Sequence, residues 1–130
     1  MAVGTTTTTH ETYGHVRRIT VDFVASSTDG SVPDTVLPRF EGRIAELTTN
    51  PGTTAPTDNY DLTLIDAEGA DRLQGVGANR DTANTESVPV VYSGSTIHPP
   101  VGLWDVLTLK LANNAVNSAT GRIQIIYTPA

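Results

Sequence analysis

Cysteine is absent from the chain, so no disulfide framework, thiolate nucleophile or zinc-thiolate site can be built from it. That suits a protein made in a reducing cytosol and tolerant of any later environment. Aromatic residues make up 5% of the 130 residues and charged residues 17%, which leaves few rings for stacking and few charges for a fully solvated surface. Either a threonine-rich exterior or coverage by other subunits accounts for so low a charge. The formal net charge is -6, and the acidic residues are dispersed, not grouped in blocks. A partner bound by neutralising phosphates is therefore not expected, and nucleic acid is excluded as a reading. No run is long and apolar enough to span a bilayer, and residues 1–10 lack a basic region followed by an apolar one. A soluble protein with no membrane partner is expected.

What is plentiful is threonine, glycine, proline, asparagine and aspartate, a balance that favours strands and turns over helices. The length fits one domain with a two-layer core. Residues 1–12, with five consecutive threonines, read as a flexible N-terminal arm, and residues 13–130 as a single β domain. The arm either stays loose or orders by adding a strand to a neighbouring subunit. Ile19, Val21 and Phe23 alternate with Arg18, Thr20 and Asp22 and mark a first strand within 13–25. A turn around Asp29-Gly30 follows, then a short extended piece around Val36 between Pro33 and Pro38.

The next strand, 42–49, alternates imperfectly, with Ile44 on one face and Ala45 and Leu47 near the other, so its register is left open. Residues 50–59 read as an exposed loop before the strand 60–66, where Leu62 and Leu64 alternate with Thr63 and Ile65. Residues 67–69 turn the chain, and 71–74 are expected to pair back as a short strand. A long loop, 75–86, precedes a strand at 87–92 whose Pro89 requires an edge or a bulge. Finally, 103–112 and 121–128 alternate at period two around an Asn-rich turn, 113–120, and predict a β-hairpin. Leu103, Leu107, Leu109 and Leu111 share one face of it, and Trp104 is either a core residue or an interface anchor. No helical period is sustained. The fold class expected is all-β, an antiparallel β-sandwich or a small β-barrel.

Reactive groups do not gather in this sequence. His10, His15 and His98 lie far apart, without metal-ligand spacing, so no metal or cofactor is expected. Asp66, Glu68 and Asp71 surround Gly69; they read as a turn set, the alternative being a calcium loop that does not match EF-hand spacing. The glycine-rich stretch 75–80 lacks the lysine of a phosphate loop, and no Gly-x-Ser-x-Gly turn is present. Arg17 and Arg18 read as a salt-bridging strand face. No enzyme is expected.

The run 59–71, then 77–82 with its Asn79-Arg80 pair, then the closing apolar strands resemble small structural proteins of tailed-bacteriophage virions. The resemblance covers roughly 60–127. It implies a non-enzymatic head decoration, or cement, protein: made in the host cytoplasm, forming a homo-oligomer such as a trimer, and binding the major capsid protein on the capsid surface. The contact makers expected are the arm, with Thr5, Thr9, His10 and Tyr13, and the loops 53–59 and 78–86, with Thr57, Asn59, Asn79, Arg80 and Thr82. A tail or baseplate component, or a carbohydrate-binding β-sandwich, are the rival readings; the last needs aromatics exposed on one face.

Overall fold

The computed structural model describes residues 4–37, 41–90, 101–103 and 106–129. Nine strands are present among them: β1 (Thr5–Tyr13), β2 (Val16–Val24), β3 (Thr35–Val36), β4 (Gly42–Pro51), β5 (Asp61–Ile65), β6 (Glu86–Pro89), β7 (Val101–Leu103), β8 (Thr108–Ala112) and β9 (Thr120–Thr128). The larger sheet runs β1-β2-β9-β4-β6, with β7 also paired to β4, and the smaller runs β3-β8-β5. All pairings are antiparallel. The all-β class with antiparallel sheets follows the expectation and has the layout of a β-sandwich. The 3.4 Å pleat explains it: Ile19, Val21 and Phe23 of β2 and Ile123, Ile125 and Tyr127 of β9 fall on one face of the larger sheet, and Leu62, Leu64 and Leu109 line the smaller. All are buried in one cluster, a burial worth roughly 1.5–3 kcal/mol for each large side chain.

The C-terminal hairpin is a correction. β8 pairs only with β3 and β5, whereas β9 pairs with β2 and β4, so the two strands lie in different sheets. Leu103 belongs to neither; it sits in β7 on the larger sheet. Period-two alternation identifies the dry side of each strand but not its hydrogen-bonding partner. The connecting residues 113–119 cross between layers, held by Asn114, whose amide donates to Gly30 O at 2.7 Å. Trp104 lies outside the described residues, as do His98 and residues 91–92 of the expected strand 87–92.

The imperfect pattern of 42–49 has a definite cause. Ile44 faces Tyr127 and Glu46 faces Ile126, so Ala45 is an extra residue, a β-bulge. It places Ile44 and Leu47, three positions apart, both in the core at 0% exposure. Residues 71–74 do not form the expected strand. Asp71 makes a single bridge to Ile65, and turns carry the chain onward because the side chain of Asp71 takes the amides of Leu64 and Leu73 at 3.0 and 2.9 Å. Pro89 sits on β6, which among the described residues pairs with β4 alone and ends the larger sheet, a place that suits its missing N–H.

The N-terminal arm also differs from the expectation. Thr5–Tyr13 pairs with β2 over all nine residues, from Thr5 opposite Val24 to Tyr13 opposite Val16. Gly14, at φ +59, and His15 form the two-residue loop between them, a geometry that suits the strand twist. The low apolar content of the arm is offset because β2 supplies the template and threonine tolerates the pleat.

Candidate interaction surface

Five of the expected contact residues meet at one end of the sandwich. Tyr60, buried at 1% exposure, anchors the junction, and its carbonyl accepts the Arg80 amide at 2.8 Å while the Asn59 amide donates to Arg80 O at 3.0 Å. Burial pushes the Tyr60 phenol upward. Asn59 and Asn79 take φ of 66° and 57°, a left-handed conformation that asparagine tolerates better than most residues. The Asn79 amide donates to Asp61 Oδ1 at 2.9 Å, and Asn113 Nδ2 donates to the other oxygen of Asp61.

Thr82 Oγ1 donates to Pro56 O at 2.5 Å and its amide to Asp58 Oδ1 at 3.3 Å, which fastens 78–86 to 53–59. Thr57 joins both to 113–119: its amide donates to Asn114 Oδ1 at 2.9 Å and its hydroxyl accepts the Ala115 amide at 2.8 Å. The guanidinium of Arg80 folds back onto Ala78 O, at 3.1 and 3.2 Å, with Glu86 3.5 Å away. Arg80, Thr57 and Thr82 are therefore braces. The groups offered outward include the exposed Asp58, Asn59, Asn79, Ala83 and Asn84. Asp81 holds the tip, accepting from the Ala83 amide at 2.6 Å and from Asn84, and these bonds, the Ala83 amide first, keep its carboxyl below the usual range.

The other four expected residues, Thr5, Thr9, His10 and Tyr13, lie along β1. His10 shares a face with Ile19 and its Nε2 is 2.6 Å from the Tyr127 hydroxyl. Thr5, Thr9 and Tyr13 share the outer face with Glu11, whose carboxylate takes the Tyr13 hydroxyl at 2.7 Å and Arg18 Nη2 at 2.8 Å. Those two bonds, the tyrosine one first, hold the Glu11 carboxyl low, and the same contact raises the Tyr13 phenol. Arg18 also lies over the Tyr13 ring, 5.1 Å from its centre. Arg17 is on the opposite face of β2, so the Arg17-Arg18 pair is split between faces as a strand demands.

Sequence reasoning missed Asn114 and Asp61, the residues that tie three loops together. The Asn-rich turn signalled local turn chemistry, but bonds spanning 57 and 84 positions leave no mark in spacing. The acidic turn is turn chemistry: Asp66 Oδ1 accepts the Glu68 and Ala70 amides, both at 2.9 Å. Among the described residues no three His, Asp or Glu are grouped to hold a metal ion, and no helix is long and apolar enough to cross a membrane. The glycine-rich stretch covers a sheet edge, since Gly77 O accepts the Leu62 amide at 2.8 Å and a Cβ on Gly77 would stand 2.2 Å from Leu62 O. Among the described residues Tyr13 is the one strongly exposed aromatic ring of the Phe, Tyr and Trp class. No protein-family model, curated protein or solved structure matches the chain.

Proposed function

We propose that this chain is a non-enzymatic structural subunit of a tailed-bacteriophage virion, a decoration protein that binds assembled major capsid protein and stabilises the shell. The observation that carries the reading is the braced loop end. Loops 53–59, 78–86 and 113–119 are fixed to one another by side chain-to-backbone bonds, so a broad polar surface is ordered before any partner arrives. Pre-ordered loops lose little conformational freedom on docking, which favours adhesion to a repeating protein lattice. A subunit that binds the assembled lattice and not its free components stabilises that lattice by mass action.

The test is cosedimentation of the purified chain with empty heads assembled from the major capsid protein of the same genome. The expected result is a saturable coat and a higher temperature of head disruption. Ala83→Arg, which sets a bulky cation at an exposed tip without removing a bond, weakens that binding while leaving the unfolding transition unchanged. Failure to bind heads, or binding to tail tubes in their place, overturns the proposal.

A further inference from the structure

The β1 edge of the larger sheet is built for pairing. Among the described residues no strand pairs with β1 on the side away from β2, and Thr7, Thr8, Thr9, His10, Thr12 and Tyr13 are exposed. Natural sheets blunt such edges with lysine, proline, a bulge or a short strand. β1 has none of these: it is nine residues long, its register with β2 is unbroken, and its sequence is TTTTTHETY.

The direction of its backbone groups follows from the hairpin. A two-residue loop makes its flanking pair, Tyr13 and Val16, a hydrogen-bonded one, and the pattern alternates from there. Odd-numbered residues of β1 thus bond to β2, and the amides and carbonyls of Thr6, Thr8 and Thr12 point away from it. We infer that β1 pairs antiparallel with β1 of a second copy of this chain, with Thr9 of each copy on the shared twofold axis.

Three observations select this partner and register. Even-numbered residues must oppose even-numbered ones for the outward groups to meet, and centring on Thr9 overlaps all nine positions, with Thr6 opposite Thr12 of the second copy at both ends. Charge agrees, because Glu11 then faces the neutral Thr7 of the other copy and keeps its own Arg18 at 2.8 Å. Apolar exposure agrees too. Tyr13, Val16 and Val24, at 53%, 41% and 44% exposure, are three of the five large exposed apolar side chains among the described residues. The twofold lays Tyr13 of one copy beside Thr5 of the other, in the same row as that copy's Val24, so both ends of the seam gain an apolar contact.

The result is one continuous larger sheet across two copies, a pair in place of the trimer. The inference names the homotypic partner within the decoration reading. Paired strands alone bury less than a standard interface of about 1,600 Å², so association is concentration-dependent in free protein and strengthened on a shell by effective concentration.

Thr9→Cys is the decisive variant, because the chain has no other cysteine. Across a twofold at a non-hydrogen-bonded position the Cα atoms lie about 4.5 Å apart, within the disulfide range. Under a mild oxidant Thr9→Cys gives a covalent dimer. Thr7→Cys does not, since its symmetry mate is four residues away along the strand, about 14 Å. Sedimentation of the full chain from micromolar to millimolar concentration shows a reversible monomer–dimer equilibrium, and Thr8→Pro raises its dissociation constant about tenfold, the loss of a central donor.

A strictly monomeric chain over that range, equal cross-linking at positions 7 and 9, or a dimer untouched by Thr8→Pro would overturn the inference. The decoration reading fails separately. A chain that stays monomeric yet coats heads keeps that reading and loses the pair; a Thr9-linked dimer that ignores heads keeps the pair and loses the reading.

Discussion

The two sheets of this molecule finish their long flanks in opposite ways. Along β5 and its N-terminal neighbour Tyr60, outward backbone groups are met by the turn-rich segment 71–80: Leu62 N by Gly77 O, Leu64 N by Asp71 Oδ1, Leu64 O by Arg72 N and Tyr60 O by Arg80 N. Along β1 the described residues supply no such cover, and a row of threonines is left facing water. Ten residues of irregular chain are spent on closing one flank, and among the described residues none on the other. An open flank is an aggregation hazard, so leaving β1 bare makes sense for a protein that uses the edge and has no counterpart on β5.

The closed flank is where the largest losses are expected. Arg72 is 8% exposed and its guanidinium donates to Gly102 O at 2.8 and 3.2 Å, tying the cover to the strand β7. Arg72→Ala strips that carbonyl and Asp66 of their cation, and urea unfolding should register a loss of about 3 kcal/mol. Gly77→Ala comes next. Its Cβ would collide with the Leu62 carbonyl, so the segment must lift, at about 2 kcal/mol in the same assay.

On the open flank the effects should be smaller and should alternate. Thr9→Pro removes an amide that bonds to β2 and costs about 1–2 kcal/mol; Thr8→Pro removes one that faces solvent in the monomer and costs under about 0.5 kcal/mol. Equal losses at both positions would refute the assigned parity. The smallest effect is electrostatic. Folding lowers the Glu11 pKa from its ordinary 4.5 through the Tyr13 and Arg18 bonds, so its contribution is present above that value and lost as pH falls through the folded pKa. Wild-type and Glu11→Gln urea midpoints should differ at neutral pH and converge in acid.

Much of this comparison was hidden in the sequence. Alternation located the buried faces of β2 and β5, because Ile19, Val21, Phe23, Leu62 and Leu64 follow the two-residue pleat that burial on one side imposes. Pro89, through its missing donor, announced an edge or a bulge, and the edge is what the described strands show. The partners of β8 and β9 were not legible, since a strand's pattern records which side is dry and nothing about which neighbour completes its ladder. The Ala45 bulge left only a broken rhythm. The braced loops were recognised as loops, but Asn114 and Asp61 act over distances in sequence that no local rule covers. That the threonine arm orders on its own chain, and is neither loose nor paired to a neighbour, was not legible either: its side chains offer little to bury, and its order comes from backbone bonds to β2.

The claim on which the rest depends is that β1 is open in the single chain while β5 is closed, and amide hydrogen exchange in dilute protein tests it directly. Leu62 and Leu64 should exchange slowly, and Thr8 and Thr12 at rates near those of an unstructured peptide. Protection of Thr8 and Thr12 in a monomeric sample would mean that the chain covers its own edge, and would contradict the account.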